Sequence, residues 1–201
     1  MKMRLGIYGG AFSPVHKAHV EMAKAFVESY SLDKLLIIPT GEAPHKRIGT
    51  DVDPDCRLEM CRLAFEEIKN TEVSDMEIRR EGKSYTVLTL RELANNDTDI
   101  FMLCGSDKIP TLEYWYCIEE IFRLCTLVCV RRAETDGDDI EAKITEYTTR
   151  YGAKIEMLNA SVGSMSSKNV RDAVAKGESI SGLVPHSVEI FIKENGLYSK
   201  I

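Results

Sequence analysis

Two rhythms of apolar residues alternate along the chain. Residues 3–8 form a short apolar run, which gives way to an amphipathic stretch reaching Tyr30. Residues 34–38 are continuously apolar after Lys34 and are closed by Pro39, as expected for a strand buried on both faces. A polar loop over 40–51 leads to Asp53-Pro54, which reads as cap and first residue of a helix. Cys56, Met60, Leu63, Ala64 and Ile68 keep helical spacing there. Residues 73–78 are expected as a short strand ended by the turn Arg79-Arg80-Glu81-Gly82, after which Ser84 or Thr86 caps a helix carrying Val87, Leu90 and Leu93 on one face. A strand over 99–104 ends in Gly105-Ser106-Asp107, and a helical stretch with Trp115, Ile118 and Phe122 follows. The strand 126–130 ends in Arg131-Arg132, and 136–139 reads as an acidic surface loop. Then come a helix to about Tyr151, a strand over 154–158, a Ser/Gly loop through Ser167 and a helix to Lys176. A last helix starts at Pro185 and stops at Asn195-Gly196.

Strands that alternate with helices imply right-handed crossovers and a doubly wound, mainly parallel α/β sheet. Such sheets bind ligands beyond the carboxyl ends of their strands. Five polar groups obey that rule, each following a predicted strand: Gly9-Gly10, Pro44-His45-Lys46, Gly105-Ser106-Asp107, Arg131-Arg132 and the serines of 164–167. A single site on one rim accounts for all five.

Composition narrows the partners. With 201 residues, 44% of them apolar, the chain fits one domain over 1–201 with a complete core, its part from about 160 to 201 being helical. A formal charge of −6 leaves no broad basic surface for a nucleic-acid backbone, so a bound anion must meet a local pocket. The six cysteines contain no CxxC pair and fall mostly in apolar runs, which points to reduced thiols and a cytoplasmic protein. No apolar run approaches membrane-spanning length, and no signal-peptide segment precedes the first strand. A homo-oligomer is compatible with the sequence.

The densest chemistry lies in Gly9-Gly10-Ala11-Phe12-Ser13-Pro14-Val15-His16-Lys17-Ala18-His19. Strand, glycine turn and helix start together place free backbone N–H groups against a phosphate. Gly9 and Gly10 allow positive φ and close approach of a ligand. Pro14 lies just ahead of the helix, where a missing N–H costs least. His16 and His19, three residues apart, leave one face beside the positive end of the helix dipole. A metal centre is the weaker reading: helical ligand pairs usually sit four apart and need a third partner, and only His45 and His186 remain elsewhere. A polyphosphate suits the pair better. Lys46 or Arg47 could reach it from the second loop, and Ser167, Lys168 and Arg171 from another helix start. No carboxylate cluster suggests a protein cage for a cation, so Mg²⁺ would be held mainly by phosphates and water. Asp107 could cap the following helix or contact a ribose. Trp115 could pack in the core or stack on a ring. Tyr85-Thr86 could serve only as a cap.

The first segment resembles the GGxFxPxHxGH signature of the nucleotidyltransferase superfamily, and over nearly its whole length the chain resembles the bacterial nicotinate-nucleotide adenylyltransferases. The likeness rests on 9–19, Ile38-Pro39 with Pro44-His45-Lys46, 77–86 with Thr89-Leu90, and Gly105-Ser106-Asp107 with Trp115. It continues in Ser166-Ser167 to Arg171 and in Leu183-Val184-Pro185 to Gly196-Leu197-Tyr198. It implies a Rossmann-like fold and transfer of AMP from ATP to nicotinate mononucleotide, giving nicotinate adenine dinucleotide and pyrophosphate in NAD synthesis. By the same likeness, His16 and His19 contact the ATP phosphates and stabilise the transition state. Gly9, Gly10 and Phe12 line ATP, Gly105 and Asp107 lie along its adenosine, and Ser166, Ser167 and Arg171 hold its phosphate tail. Lys46, Tyr85, Thr86 and Trp115 take the mononucleotide, with Trp115 on the pyridine ring. Three positions depart from the pattern: Ser13 replaces an Asp or Asn, Ala18 a Gly and Lys168 a Thr. Two rival readings stand beside this one: another phosphate acceptor such as nicotinamide mononucleotide or phosphopantetheine, and, motivated by Ser13, Ala18 and Lys168, a nucleotide-binding regulator without turnover.

Overall fold

The structure, a computed structural model, describes residues 1–44, 52–131, 138–158 and 165–199. Its strands are β1 (Met3–Gly10), β2 (Lys34–Pro39), β3 (Thr71–Val73), β4 (Thr98–Gly105), β5 (Thr126–Val130) and β6 (Ile155–Leu158). They pair in the order β3-β2-β1-β4-β5-β6, every pair parallel. The expected doubly wound sheet is therefore present, with the order reversing between β1 and β4.

Side chains alternate across each strand, so a strand buried on both faces feeds two cores. β2 does this in four residues: Leu35 and Ile37 join one apolar cluster, Leu36 and Ile38 the other. The first cluster is covered by α1 (Lys17–Ser29), through Met22, Ala23 and Phe26, and by α2 (Pro54–Phe65), through Met60, Cys61, Ala64 and Phe65. Asp53 caps α2 by accepting from the Asp55 N–H at 2.8 Å, with Pro54 in the first turn, as the sequence predicts. A single turn, α3 (Met76–Arg79), precedes α4 (Thr86–Leu93), α5 (Ile118–Leu124) and α6 (Asp138–Tyr151). The last three cover the second cluster through Val87 and Leu90, Ile118 and Phe122, and Ile140 and Tyr147. The helices α7 (Ser167–Ala175) and α8 (His186–Glu194) return to the first, bringing Val170, Ala173, Val188 and Ile192. Among the described residues no helix is long and apolar enough to cross a membrane.

Several expected elements differ. The strand expected over 73–78 is shorter and earlier: the Ser74 hydroxyl accepts from the Met76 N–H at 3.3 Å and turns the chain into α3 instead. Neither Ser84 nor Thr86 caps α4. Tyr85 holds the cap position without a side-chain bond, because the Ser84 hydroxyl is taken by the Gly41 N–H at 3.1 Å. The helix expected to carry Trp115, Ile118 and Phe122 together is split. A 3₁₀ segment, Ser106–Tyr114, contains Pro110, and the chain breaks at Cys117, in the left-handed region at φ 55°, before α5 begins. Of the expected acidic loop, 138 and 139 open α6 and 136–137 lie outside the described residues.

Candidate active site

Because β1 and β4 lie side by side while the strand order reverses between them, their following loops diverge and leave a crevice. Gly10 pairs with Pro39 on one side, and Tyr8 with Leu103 on the other. Gly9 and Gly10 end β1 without positive φ; the left-handed residue of the loop is Phe12, at φ 45°. That conformation costs a non-glycine residue about 1–2 kcal/mol, and burial of the ring offsets it. Phe12 is 2% exposed and meets Tyr8, His19 and Phe65 edge-on at 5.3, 5.1 and 6.0 Å. Gly10 makes room for this ring, since a Cβ there would stand 3.2 Å from it. Gly9 is different: it is exposed, and a Cβ would meet nothing nearer than the Ile38 carbonyl at 3.9 Å.

Donors from distant elements hold the loop's carbonyls. Arg57 Nη1 of α2 donates to Ala11 O at 2.9 Å. From α7, Arg171 Nη1 donates to Ser13 O at 2.7 Å and Ser167 Oγ to Pro14 O at 2.9 Å. Ser166 caps α7 by accepting from the Asn169 N–H at 3.2 Å. Ser167 and Arg171, expected from the sequence to hold phosphates, are thus brought to the loop, where they brace it. Lys168 runs along the exposed side of α7 and pairs with Asp172 at 2.8 Å, holding that carboxyl below its usual range. Beneath the loop, Ser13 Oγ lies 3.3 Å from the Tyr198 hydroxyl, whose pKa burial pushes up to about 12, so this phenol stays protonated at neutral pH. Ser13 and Ala18 are both buried, at 3% and 4% exposure, so both departures pack into the interior.

At the start of α1, His16 is the N-cap rather than a helical residue, and His19 is the third residue of the helix. The His16 N–H donates to His19 Nδ1 at 3.1 Å, and the rings stack at 3.6 Å with 23° between their planes. An accepting Nδ1 puts the proton of the neutral His19 ring on Nε2. Both imidazoles therefore share one face at the positive end of α1.

Gly105 ends β4 on the other side of the crevice and caps the 3₁₀ segment, so Asp107 is not the cap; its carboxylate is exposed and accepts from Lys108 Nζ at 2.8 Å. Tyr85 and Trp115 are both half-buried against the second apolar cluster. The rings of Tyr85 and Tyr116, the neighbour of Trp115, lie 4.8 Å apart, so the segment ending in Thr86 and the one carrying Trp115 meet. Arg131 is drawn aside by Glu141 at 3.2 Å. His45, Lys46, Arg47, Arg132 and Ser164 lie outside the described residues. Among the described residues no group of three His, Cys, Asp or Glu side chains is placed to hold a metal ion. The six cysteines are free thiols, with Cys104 Sγ and Cys129 Sγ 3.4 Å apart on paired strands.

Arg57 and Glu77, both charged and buried, escaped the sequence reading. Arg57 lies on the helical stripe of Met60, Cys61 and Ala64, so a charge on an apolar face was the available signal. Glu77 gave none, because its region was read as strand. It is 7% exposed; Thr89 Oγ1 donates to it at 2.7 Å, and Arg80 Nη1 donates to Thr89 Oγ1 at 3.1 Å. The Glu77 carbonyl occupies the place of a Cβ on Gly41, which ties this network to the loop after β2. The Ser84 N–H strengthens that tie by donating to Glu42 O at 2.8 Å. Burial pushes the Glu77 carboxyl above its ordinary value of 4.5, against the pull of Thr89, Ser84 and Arg80. A raised carboxyl favours the protonated fold, so its contribution is full below the ordinary value and is lost as pH rises through the folded one. Glu77→Gln removes that penalty. Its Tm relative to the parent is expected to rise from pH 4 to pH 8, and a difference that stays constant across this range would place the ionisation elsewhere.

The cytidylyltransferase-like family model matches residues 7–194. A probable nicotinate-nucleotide adenylyltransferase of Lachnoclostridium phytofermentans is 34% identical over 197 residues, covering 97% of this chain and 98% of that one. Another, of Synechococcus sp. (strain JA-3-3Ab), is 36% identical and covers 97% and 94%. The solved structure of Plasmodium falciparum nicotinic acid mononucleotide adenylyltransferase complexed with NaAD superposes with a TM-score of 0.79 over 99% of this chain and 98% of that one. At 19% identity it speaks to the fold alone.

Proposed function

This chain belongs to the cytidylyltransferase-like family, among its nicotinate-nucleotide adenylyltransferases, and we propose that the β1–β4 crevice is where it transfers AMP from ATP to nicotinate mononucleotide. A phosphate oxygen of the mononucleotide attacks the α-phosphorus in line, the new P–O bond forms as the bond to the β-phosphate breaks, and pyrophosphate leaves. Little covalent help is needed, so alignment and charge neutralisation carry the rate. The observation that supports this most directly is the stacked His16–His19 pair at the positive end of α1, against a loop braced by Arg57, Ser167 and Arg171. His16 and His19 address the oxygens of the transferring phosphate. Gly9, Gly10 and the backbone at Phe12, whose ring is turned into the core, line the nucleotide, Gly105 and Asp107 run along its adenosine, and α7 takes its phosphate tail through Ser166, Ser167 and the remaining donors of Arg171. Tyr85, Thr86 and Trp115 receive the nicotinate ring, with backbone N–H groups near Thr86 for its carboxylate. Lys46, outside the described residues, is assigned to the same subsite by the family likeness alone.

The residues present fit a Mg²⁺ held through ATP rather than by the protein: Asp107 is the exposed carboxylate beside the crevice, and Lys108 already holds it. The chemistry such an ion would supply is neutralisation of charge on the departing pyrophosphate.

Pyrophosphate release from Mg·ATP, with nicotinate mononucleotide, nicotinamide mononucleotide and phosphopantetheine offered separately, tests the whole reading. Rapid release with the first alone is expected. Release with another acceptor moves the substrate assignment, and silence with all three beside measurable ATP binding turns the protein into a nucleotide-binding regulator. Gly9 offers a finer check. Its Cβ space is free of protein, so Gly9→Ala should fold with an unchanged Tm and bind ATP more weakly; unchanged ATP affinity would move the nucleotide away from β1.

A further inference from the structure

Among the described residues, Arg57 is the largest side chain with under 2% of its surface exposed. It sits on the inner side of the loop after β1, with Phe12, Phe65 and Cys61 in the surrounding core, while Ala11 on the outer side is exposed. Its Nη1 holds Ala11 O at 2.9 Å, one residue ahead of the left-handed Phe12. Its Nε–H is buried without a hydrogen-bond partner, and its guanidinium is in no ion pair among the described residues. Desolvation holds the Arg57 pKa below the ordinary arginine value, and the smaller opposing influences of Cys61, Tyr198 and Asp53 do not offset it.

A buried cation without a matching anion is costly. Volume alone does not require it: an apolar side chain of similar size would fill the stripe, though it would leave Ala11 O without this donor. A charge that arrives with the reaction supplies such compensation, and the outer side of the loop is where the nucleotide phosphates are read to bind.

We propose that Arg57 is a positioning residue for adenylyl transfer: from behind the loop its guanidinium fixes the Ala11 carbonyl, and so the turn at Phe12 and the Phe12–His19 contact, and it is the standing counter-charge to the phosphates bound in front. This rests on the reading of the crevice as the ATP site. It explains why an arginine sits on an otherwise apolar helix face and why a strained non-glycine residue persists in the loop.

The full-length protein decides it. In the unmutated chain the Arg57 ¹⁵Nε–¹H signal, assigned by its loss in Arg57→Lys, should move on saturation with Mg·ATP and stay in place with nicotinate mononucleotide alone. Arg57→Met should raise the Kd for Mg·ATP about tenfold or more, lower kcat, and leave the KM for the mononucleotide nearly unchanged. Arg57→Lys keeps the charge and one donor and should recover part of the ATP affinity. A stationary Nε–H signal in protein that binds Mg·ATP overturns the inference. So does a folded Arg57→Met that binds ATP normally or loses both substrates equally, since either outcome makes Arg57 a packing residue. Failure of the unmutated protein to bind Mg·ATP is a separate result and removes the site reading itself.

Discussion

Replacing His16 by alanine is expected to lower kcat by about two orders of magnitude or more while the fold survives. His16 is the N-cap of α1 and 3% exposed, and its ring lies flat on that of His19 at 3.6 Å. Two consequences follow from this arrangement. The pair acts as one unit, so the double variant His16→Ala with His19→Ala should cost little more than the worse single one. The His16 backbone N–H to His19 Nδ1 bond survives the substitution, but the stacked ring does not, so His16→Ala should disturb the His19 ring signals as well as the rate. Steady-state kinetics of the three variants, with circular dichroism as the folding control, read both effects. Near-normal turnover in a folded His16→Ala would take the pair out of the chemistry.

Trp115→Ala is expected to raise the KM for nicotinate mononucleotide about tenfold or more, the worth of one stacked ring, with the KM for ATP almost unmoved. Trp115 follows the 3₁₀ segment and precedes the left-handed Cys117, which takes it off the helix that carries Ile118 and Phe122. It is half-buried against the second core, and its neighbour Tyr116 meets Tyr85. Trp115→Phe should restore most of the loss because the stacking surface is kept. Equal increases in both constants would mean that the ring supports the crevice as packing, with nicotinate bound elsewhere.

Much of this architecture was legible in the chain. Alternating apolar runs and amphipathic stretches gave all six strands to within a few residues except β3, whose three residues lie at the sheet edge and carry little apolar signal. The turn at Ser74 and the break at Cys117 escaped because both depend on hydrogen bonds and conformations that no periodicity encodes. At the site the sequence picked out the two histidines, the serines and Arg171, since each stands next to a strand end or a helix start. It placed the turn's positive φ on the glycines, whereas Phe12 carries it, because only the aromatic pocket of Tyr8, His19 and Phe65 makes that conformation affordable. Arg57 and Glu77 were missed because burial of a charge is a property of what surrounds a residue.

The sequence by itself determined the fold class and the family, through local patterns and short motifs: hydrophobic period, helix caps and a run of eleven residues from Gly9 to His19. Only the tertiary structure decided which carbonyl each donor holds. Arg57, Ser167 and Arg171 reach Ala11, Pro14 and Ser13 across separations of 46, 153 and 158 residues. Side-chain bonds over such distances exist only once the sheet has brought α2 and α7 to the same strand end, and local preference carries no record of them.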